Sequence, residues 1–134
     1  MIGFDVNVES CLISPLSLAY IGDSVYEVYI RSFIMKDVNM PVNKLHKIAT
    51  KYVSATSQAK IYHKIEDKLT PEEINIFKRG RNAHSYTSAK NANIIDYRTA
   101  TGLEALIGYI YVKKDKKRLD EIMNMCVEVI SNEE

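Results

Sequence analysis

The chain has 134 residues, 46% of them hydrophobic and 26% charged, a globular composition at a length that fits one domain, 1–134, built round one core. Leu, Ile and Val are plentiful and 18 Lys and Arg nearly balance 17 Asp and Glu, which excludes a mainly disordered chain. The longest uncharged stretches, such as 11–22, hold Ser, Pro and Tyr and fall short of the roughly 20 apolar residues that cross a bilayer, so no membrane-spanning segment is expected.

The opening MIGFDVNVES carries two acids and no base, which is not a secretory pattern. Cys11 and Cys126 lie far apart and outside any Cys-x-x-Cys or Cys/His cluster, so neither a disulfide framework nor a zinc site is signalled. Both read as small buried hydrophobes in a reducing cytoplasm. Ser14 and Pro15 offer an N-cap and a first helical residue. Leu16, Tyr20, Tyr26, Ile30, Phe33 and Ile34 then recur at helical spacing towards Lys36, one long helix. Pro41 can open a second helix holding Leu45, Ile48 and Tyr52, and 54–69 a third with Ala55, Ala59, Tyr62 and Ile61 or Ile65 inward. Thr70-Pro71-Glu72-Glu73 is a capping box. It starts a short helix through Ile74 and Phe77 that should stop near Gly80.

From Arg81 to Asp96, Asn, Ser, Thr, Lys and His replace the apolar period, giving a long connection of the kind that is often functional. A further helix is expected from about Tyr97 through Ala105, Leu106, Ile110 and Tyr111. The last, from about Lys116, buries Leu119, Ile122, Met123, Cys126, Val127 and Ile130. Neither strand patterns nor internal repeats nor linkers interrupt the chain. The expected fold is a single all-α domain.

Charge is unevenly spread. Residues 1–43 hold two bases against five acids, 44–90 ten against four, and 91–134 six against eight. A basic middle suits nucleic acid, although a solvated lysine-rich helix face gives the same count. Two acids stand out. Asp23 follows Gly22 within the apolar run IGDSVYEVYI, and Glu104 lies among Leu103, Ala105, Leu106 and Ile107 with Gly102 and Gly108 on either side. Glycine in a helix costs about 1 kcal/mol relative to alanine, and a buried charge must be paired or metal-bound. Either the acids meet Arg31, Arg98 or a helix N-terminus, or two crossing helices converge them on a divalent ion, which carboxylates, waters and phosphate oxygens can share.

AYIGDSVYEVYIR (19–31), KRGRNAHS (78–85) and YRTATGLEALIGYIY (97–111), in that order and spacing, resemble the Mini-III branch of the ribonuclease III family, which keeps the catalytic domain and lacks the double-stranded-RNA-binding domain. The likeness covers nearly the whole chain. It implies an all-helical, homodimeric endonuclease domain that uses Mg²⁺ to cut double-stranded RNA, leaving 5′-phosphate and 3′-hydroxyl ends. The family's cellular role is maturation of the large-subunit ribosomal RNA precursor. By the same likeness Asp23 and Glu104 are the metal-binding, catalytic pair. Full-length members carry a further glutamate where this chain has Ala19 and an aspartate where it has Thr101, so half of the usual acidic set is absent. Glu27, one turn after Asp23, is better placed to pair with Arg31.

RNA contact then falls to this domain itself, through shape and charge. Lys78, Arg79 and Arg81, followed by Asn82, His84, Ser85, Thr87, Ser88 and Lys90, supply phosphate and hydroxyl ligands, while a cationic helix end interacting with its own dipole is the plainer account. His46, Lys47 and Lys51, spaced for one helix face, form a second-rank group. The competing readings are a non-catalytic helical module that binds structured RNA or a protein, and a small nucleotide phosphohydrolase.

Overall fold

A 3.6-residue apolar period with strong local caps leaves helix-on-helix packing as the way to bury this chain's hydrophobic stripes. The computed structural model describes residues 13–36, 39–83 and 93–133. Among these it holds six α-helices and no strand: α1 (Pro15–Ile34), α2 (Val42–Val53), α3 (Ala55–Ile65), α4 (Pro71–Asn82), α5 (Ile94–Val112) and α6 (Lys116–Ser131), with a 3-10 turn at Glu66–Lys68. No helix among the described residues is long and apolar enough to cross a membrane.

Local chemistry sets most of the starts. The Ser14 hydroxyl accepts the Leu16 N–H at 3.2 Å. The Thr70 hydroxyl accepts the Glu73 N–H at 3.1 Å while the Glu73 carboxylate accepts the Thr70 N–H at 2.9 Å, closing the expected capping box. Pro41 precedes α2 as its N-cap residue and, having no side-chain acceptor, offers only its carbonyl, which accepts the Lys44 and Leu45 N–H groups at 3.0 Å each. Three boundaries differ from expectation. The third helix, expected over 54–69, ends at Ile65 and gives way to the 3-10 turn. α5 begins three residues before Tyr97, with Asn93 accepting the Ile95 N–H; Ile94 and Ile95 are 55% and 70% exposed, so the inward apolar period does not register there. α4 passes through Gly80 and ends at Asn82, because Gly80 is a packing residue: a Cβ added to it would lie 2.6 Å from that of Ala105.

α5 is the central helix, packed by α1, α3 and α4 and apolar round most of its circumference. Leu103, Leu106 and Ile107 meet Tyr26 and Ile30 from α1, Ile61 and Ile65 from α3, and Ile122, Met123 and Cys126 from α6. Burial pushes the Cys126 thiol up to about 12, leaving it an inert small hydrophobe; Cys11 lies outside the described residues. Val127 is half-buried rather than buried. The Tyr26 hydroxyl donates to the Tyr52 carbonyl at 2.6 Å, tying α1 to the end of α2. Arg118 clamps α6 to the first turn of α4 and to the 3-10 turn before it. Its Nε and Nη2 donate to the two Glu73 oxygens at 2.8 Å each, and Nη2 also to the Lys68 carbonyl at 3.0 Å. Burial raises the Glu73 carboxyl, but the guanidinium and the Thr70 cap outweigh it and hold the group below the ordinary range.

α1 and α5 cross backbone to backbone. A Cβ on Gly22 would overlap the Glu104 carbonyl oxygen, and one on Gly108 the Leu18 carbonyl oxygen. Only glycine at both positions lets the two helices touch in this way.

Candidate active site

The crossing decides which side chains meet. With Gly22 lying against the Glu104 backbone, Asp23 comes beside the Glu104 side chain, and the two carboxyl groups are close enough to influence each other's protonation. Two such oxygens repel unless a proton or a cation lies between them. Burial first, then the neighbouring Asp23 carboxyl, with a further push from Glu27, raise the Glu104 carboxyl to about 8; a hydrogen bond from Gln58 opposes the rise. Glu104 is half-buried, as its apolar setting implied, but Asp23 is exposed. Asp23 is therefore not a buried charge, contrary to its apolar sequence setting, and occupies a solvent edge of α1 beside the crossing.

Neither carboxylate is paired with a basic side chain among the described residues. Arg31 takes Glu27 instead, at 3.4 Å, an exposed i,i+4 pair worth at most about 1 kcal/mol. Arg98 is exposed, and the Thr101 hydroxyl donates to the Tyr97 carbonyl one turn back at 3.0 Å. Two convergent carboxylates without a counter-charge are hard oxygen donors suited to a divalent cation. No cluster of three or more His, Cys, Asp or Glu accompanies them among the described residues, and a site of two carboxylates, the rest of the shell being waters and phosphate oxygens, fits Mg²⁺.

A third side chain reaches this site that the motifs did not single out. Gln58 of α3 is 3% exposed, and its Nε2 donates to Glu104 Oε2 at 3.5 Å. Its signal was available. Position 58 falls on the inward face marked by Ala55, Ala59 and Tyr62, where an amide is out of place.

Part of the basic group lies towards the two ends of α1. Lys78, Arg79 and Asn82 border a hollow shared with Pro15, at the start of that helix. All three are exposed, while Arg81 is half-buried, its guanidinium 5.7 Å from the Phe77 ring centre and its Nε donating to Asn82 Oδ1 at 3.1 Å. His46, Lys47 and Lys51 are exposed on α2, and His46 shares a hollow with Arg31 and Ile34 at the other end of α1. Asp23 stands eight residues from both Pro15 and Arg31, roughly 12 Å each way along the helix axis. His84, Ser85, Thr87, Ser88 and Lys90 lie outside the described residues. Tyr52 and Tyr62 are core residues, and Tyr111 is partly exposed.

Residues 16–115 match the family model described as "Ribonuclease III domain". A Clostridium tetani protein named Mini-ribonuclease 3 is 51% identical over 115 residues, covering 85% of this chain and 76% of that one. Another of that name, from Thermoanaerobacter, is 46% identical over 136 residues, covering 97% and 96%. A crystal structure of a Fusobacterium nucleatum protein superposes with a TM-score of 0.80 at 30% identity, covering 90% of this chain and 96% of the other.

Proposed function

The chain belongs to the ribonuclease III family and is an endoribonuclease acting on double-stranded RNA; from that premise we propose that Asp23 and Glu104 are its catalytic, Mg²⁺-holding pair. The observation that carries this reading is the juxtaposition of two carboxyl groups across a glycine-mediated helix crossing, with no basic partner among the described residues. When bound, the ion supplies positive charge against the phosphodiester and acidifies an attacking water. The chain's own residues do the rest. Asp23 and Glu104 hold negative charge at a fixed point beside the crossing, and the rigid pairing of α1 with α5 keeps that point from shifting during hydrolysis. One bond forms from water oxygen to phosphorus and the bond from phosphorus to the 3′-oxygen breaks, leaving a 5′-phosphate and a 3′-hydroxyl.

The whole chain, 1–134, acts in this reading as one catalytic domain in the cytoplasm, and its substrate is the precursor of large-subunit ribosomal RNA. Two active centres are needed to cut both strands of a duplex in one encounter, and a two-fold homodimer supplies them. Tyr20 and Val28, 83% and 62% exposed on α1, are apolar residues suited to such an interface. Incubating the protein with an end-labelled RNA duplex is expected to give 5′-phosphate fragments with Mg²⁺ and none in EDTA, from a species sedimenting at twice the 15.3 kDa chain mass. Duplex binding without cleavage would return the chain to a non-catalytic RNA-binding module. A monomer that still makes both cuts in one encounter would overturn the dimer.

Lys78, Arg79 and Asn82 beside the start of α1 and His46 beside its end stand on either side of the carboxylates along that axis, and they are assigned to the RNA backbone together with Arg81, Lys47, Lys51, His84, Ser85 and Lys90. Affinity from such contacts arises largely by counterion release, so log affinity should fall with log salt at roughly −0.9 per neutralised phosphate, if the B-DNA value transfers. Alanine at Arg79, Arg81 or Lys90 is expected to weaken binding of many duplex sequences about uniformly and to reduce that slope by about one each. Changes at Asn82, His84 or Ser85 should alter which stems are cut. Anisotropy titrations at several salt concentrations decide: variants at 79, 81 and 90 that all keep the parental affinity and slope would reassign this basic segment to solvent.

A further inference from the structure

Three helices, not two, reach the carboxylate pair. α1 brings Asp23 and α5 brings Glu104, while α3 brings Gln58, whose amide lies in an otherwise apolar face beside Ala59, Ile61 and Tyr62. An amide buried there destabilises the fold unless its donors are met. Methionine or leucine would fill a similar volume without that cost. What the amide meets is Glu104: Nε2 donates to Oε2 at 3.5 Å.

The chemistry of the residue is also selective. Lysine or arginine at this place would form an ion pair with Glu104 and cancel the charge that a cation needs, an acid would add a third repelling charge, and serine or threonine would fall short. Glutamine reaches, donates and is neutral. The last torsion of a glutamate side chain has a broad, two-fold energy profile, so a carboxylate in a partly solvated site turns freely unless something holds one oxygen. The α1/α5 crossing fixes the Glu104 backbone but not that torsion.

We propose that Gln58 is a positioning residue that holds one oxygen of Glu104 against α3, so that Glu104 and Asp23 face a single divalent cation in a fixed orientation. The inference rests on the assignment of Asp23 and Glu104 as the metal-holding pair. Groups that orient metal-ligating side chains are typically worth 10- to 100-fold in metal affinity or activity.

Gln58→Met keeps the volume and the helix propensity and removes the donor; Gln58→Leu is its independent check. Each is expected to lower kcat on a duplex RNA by about 10- to 100-fold with KM for RNA unchanged. The affinity of the RNA-free protein for Mn²⁺, read by electron paramagnetic resonance, should weaken by a similar factor. The thermal midpoint in EDTA should be no lower than the parent's, since an apolar side chain replaces a polar one in a buried place. Parental kcat and Mn²⁺ affinity in a folded variant would overturn the proposal. So would a lowered midpoint with unaltered Mn²⁺ affinity, or failure of both variants to fold, since either makes Gln58 a purely structural residue. Asp23→Asn and Glu104→Gln in the same titration separate the two levels of the argument. If they retain Mn²⁺ affinity, the assignment of the carboxylates fails; if they lose it while the Gln58 variants keep it, only the role of Gln58 fails.

Discussion

Asp23→Asn and Glu104→Gln are each expected to lower duplex RNA turnover by roughly 100- to 1,000-fold or more, the scale of losing a group that stabilises transition-state charge. RNA affinity should change little. Each substitution keeps the side-chain volume and removes one negative charge from a site where, among the described residues, two carboxylates stand side by side, so a cation loses about half of the attraction of that pair. The Glu104 variant carries a second expectation, of opposite sign. In metal-free protein the Glu104 carboxyl is pushed up to about 8, by burial and then by Asp23, from an ordinary value of 4.5. Between these two values the unfolded chain has released this proton while the folded chain still binds it, so stability falls as pH rises through that interval and levels off above it. Glutamine does not titrate. Glu104→Gln should therefore melt above the parent at pH 8 in EDTA, with the gain shrinking towards pH 4, and also shrinking when Mg²⁺ is added, because an ion that binds only the folded parent stabilises it by mass action. Near-parental turnover in either variant at saturating Mg²⁺ would remove that residue from the catalytic pair.

What was legible in the sequence follows the range of the force that sets each feature. The starts at Ser14-Pro15 and Thr70-Pro71 depend on a hydroxyl and an N–H within three residues, and a sequence displays such pairs directly. Gly80 shows the limit. A glycine near the end of a helical period looks like a terminating residue, but its role is set by Ala105 and Gly102 on another helix. The same holds for Asp23. Its neighbours in sequence are apolar, which suggested burial, whereas the angle at which α1 lies on α5 leaves the aspartate at the solvent edge. Glu104 lies on the most enclosed helix and its local apolar setting was a fair guide. Gln58 escaped notice because glutamine is ordinarily a surface residue, and only its place in the α3 period marked it as inward. The group proposed to face RNA is legible only as charge, since phosphate contacts need basic side chains but no fixed spacing among them.

Gly22→Ala is expected to lower stability and turnover together. In an isolated helix the change would gain about 1 kcal/mol from propensity. Here the new Cβ would overlap the Glu104 carbonyl oxygen and stand 2.7 Å from the Glu104 carbonyl carbon and 2.9 Å from the Gly108 nitrogen. All three are backbone atoms of the central helix, so no rotamer change relieves the clash and the two helices must move apart. Overpacking a core typically costs about 1–3 kcal/mol even where side chains can shift, and against backbone the upper end of that range is the least to expect. Sterics outweigh propensity. For a domain of this size the thermal midpoint should fall by roughly 10 °C, and Gly108→Ala, which meets the Leu18 carbonyl oxygen across the same crossing, should do the same. Turnover separates packing from chemistry. Gly22 precedes Asp23 and touches the residue that carries the other carboxylate, so parting the helices there pulls the pair apart, and activity should drop several-fold even well below the melting range, where the variant is fully folded. Thermal melts and turnover at 20–30 °C below the variant's midpoint, measured on the same preparation, test both parts. A Gly22→Ala protein that melts with the parent would show that α1 and α5 do not meet through glycine, and with that contact the reason for Asp23 and Glu104 to converge would be lost.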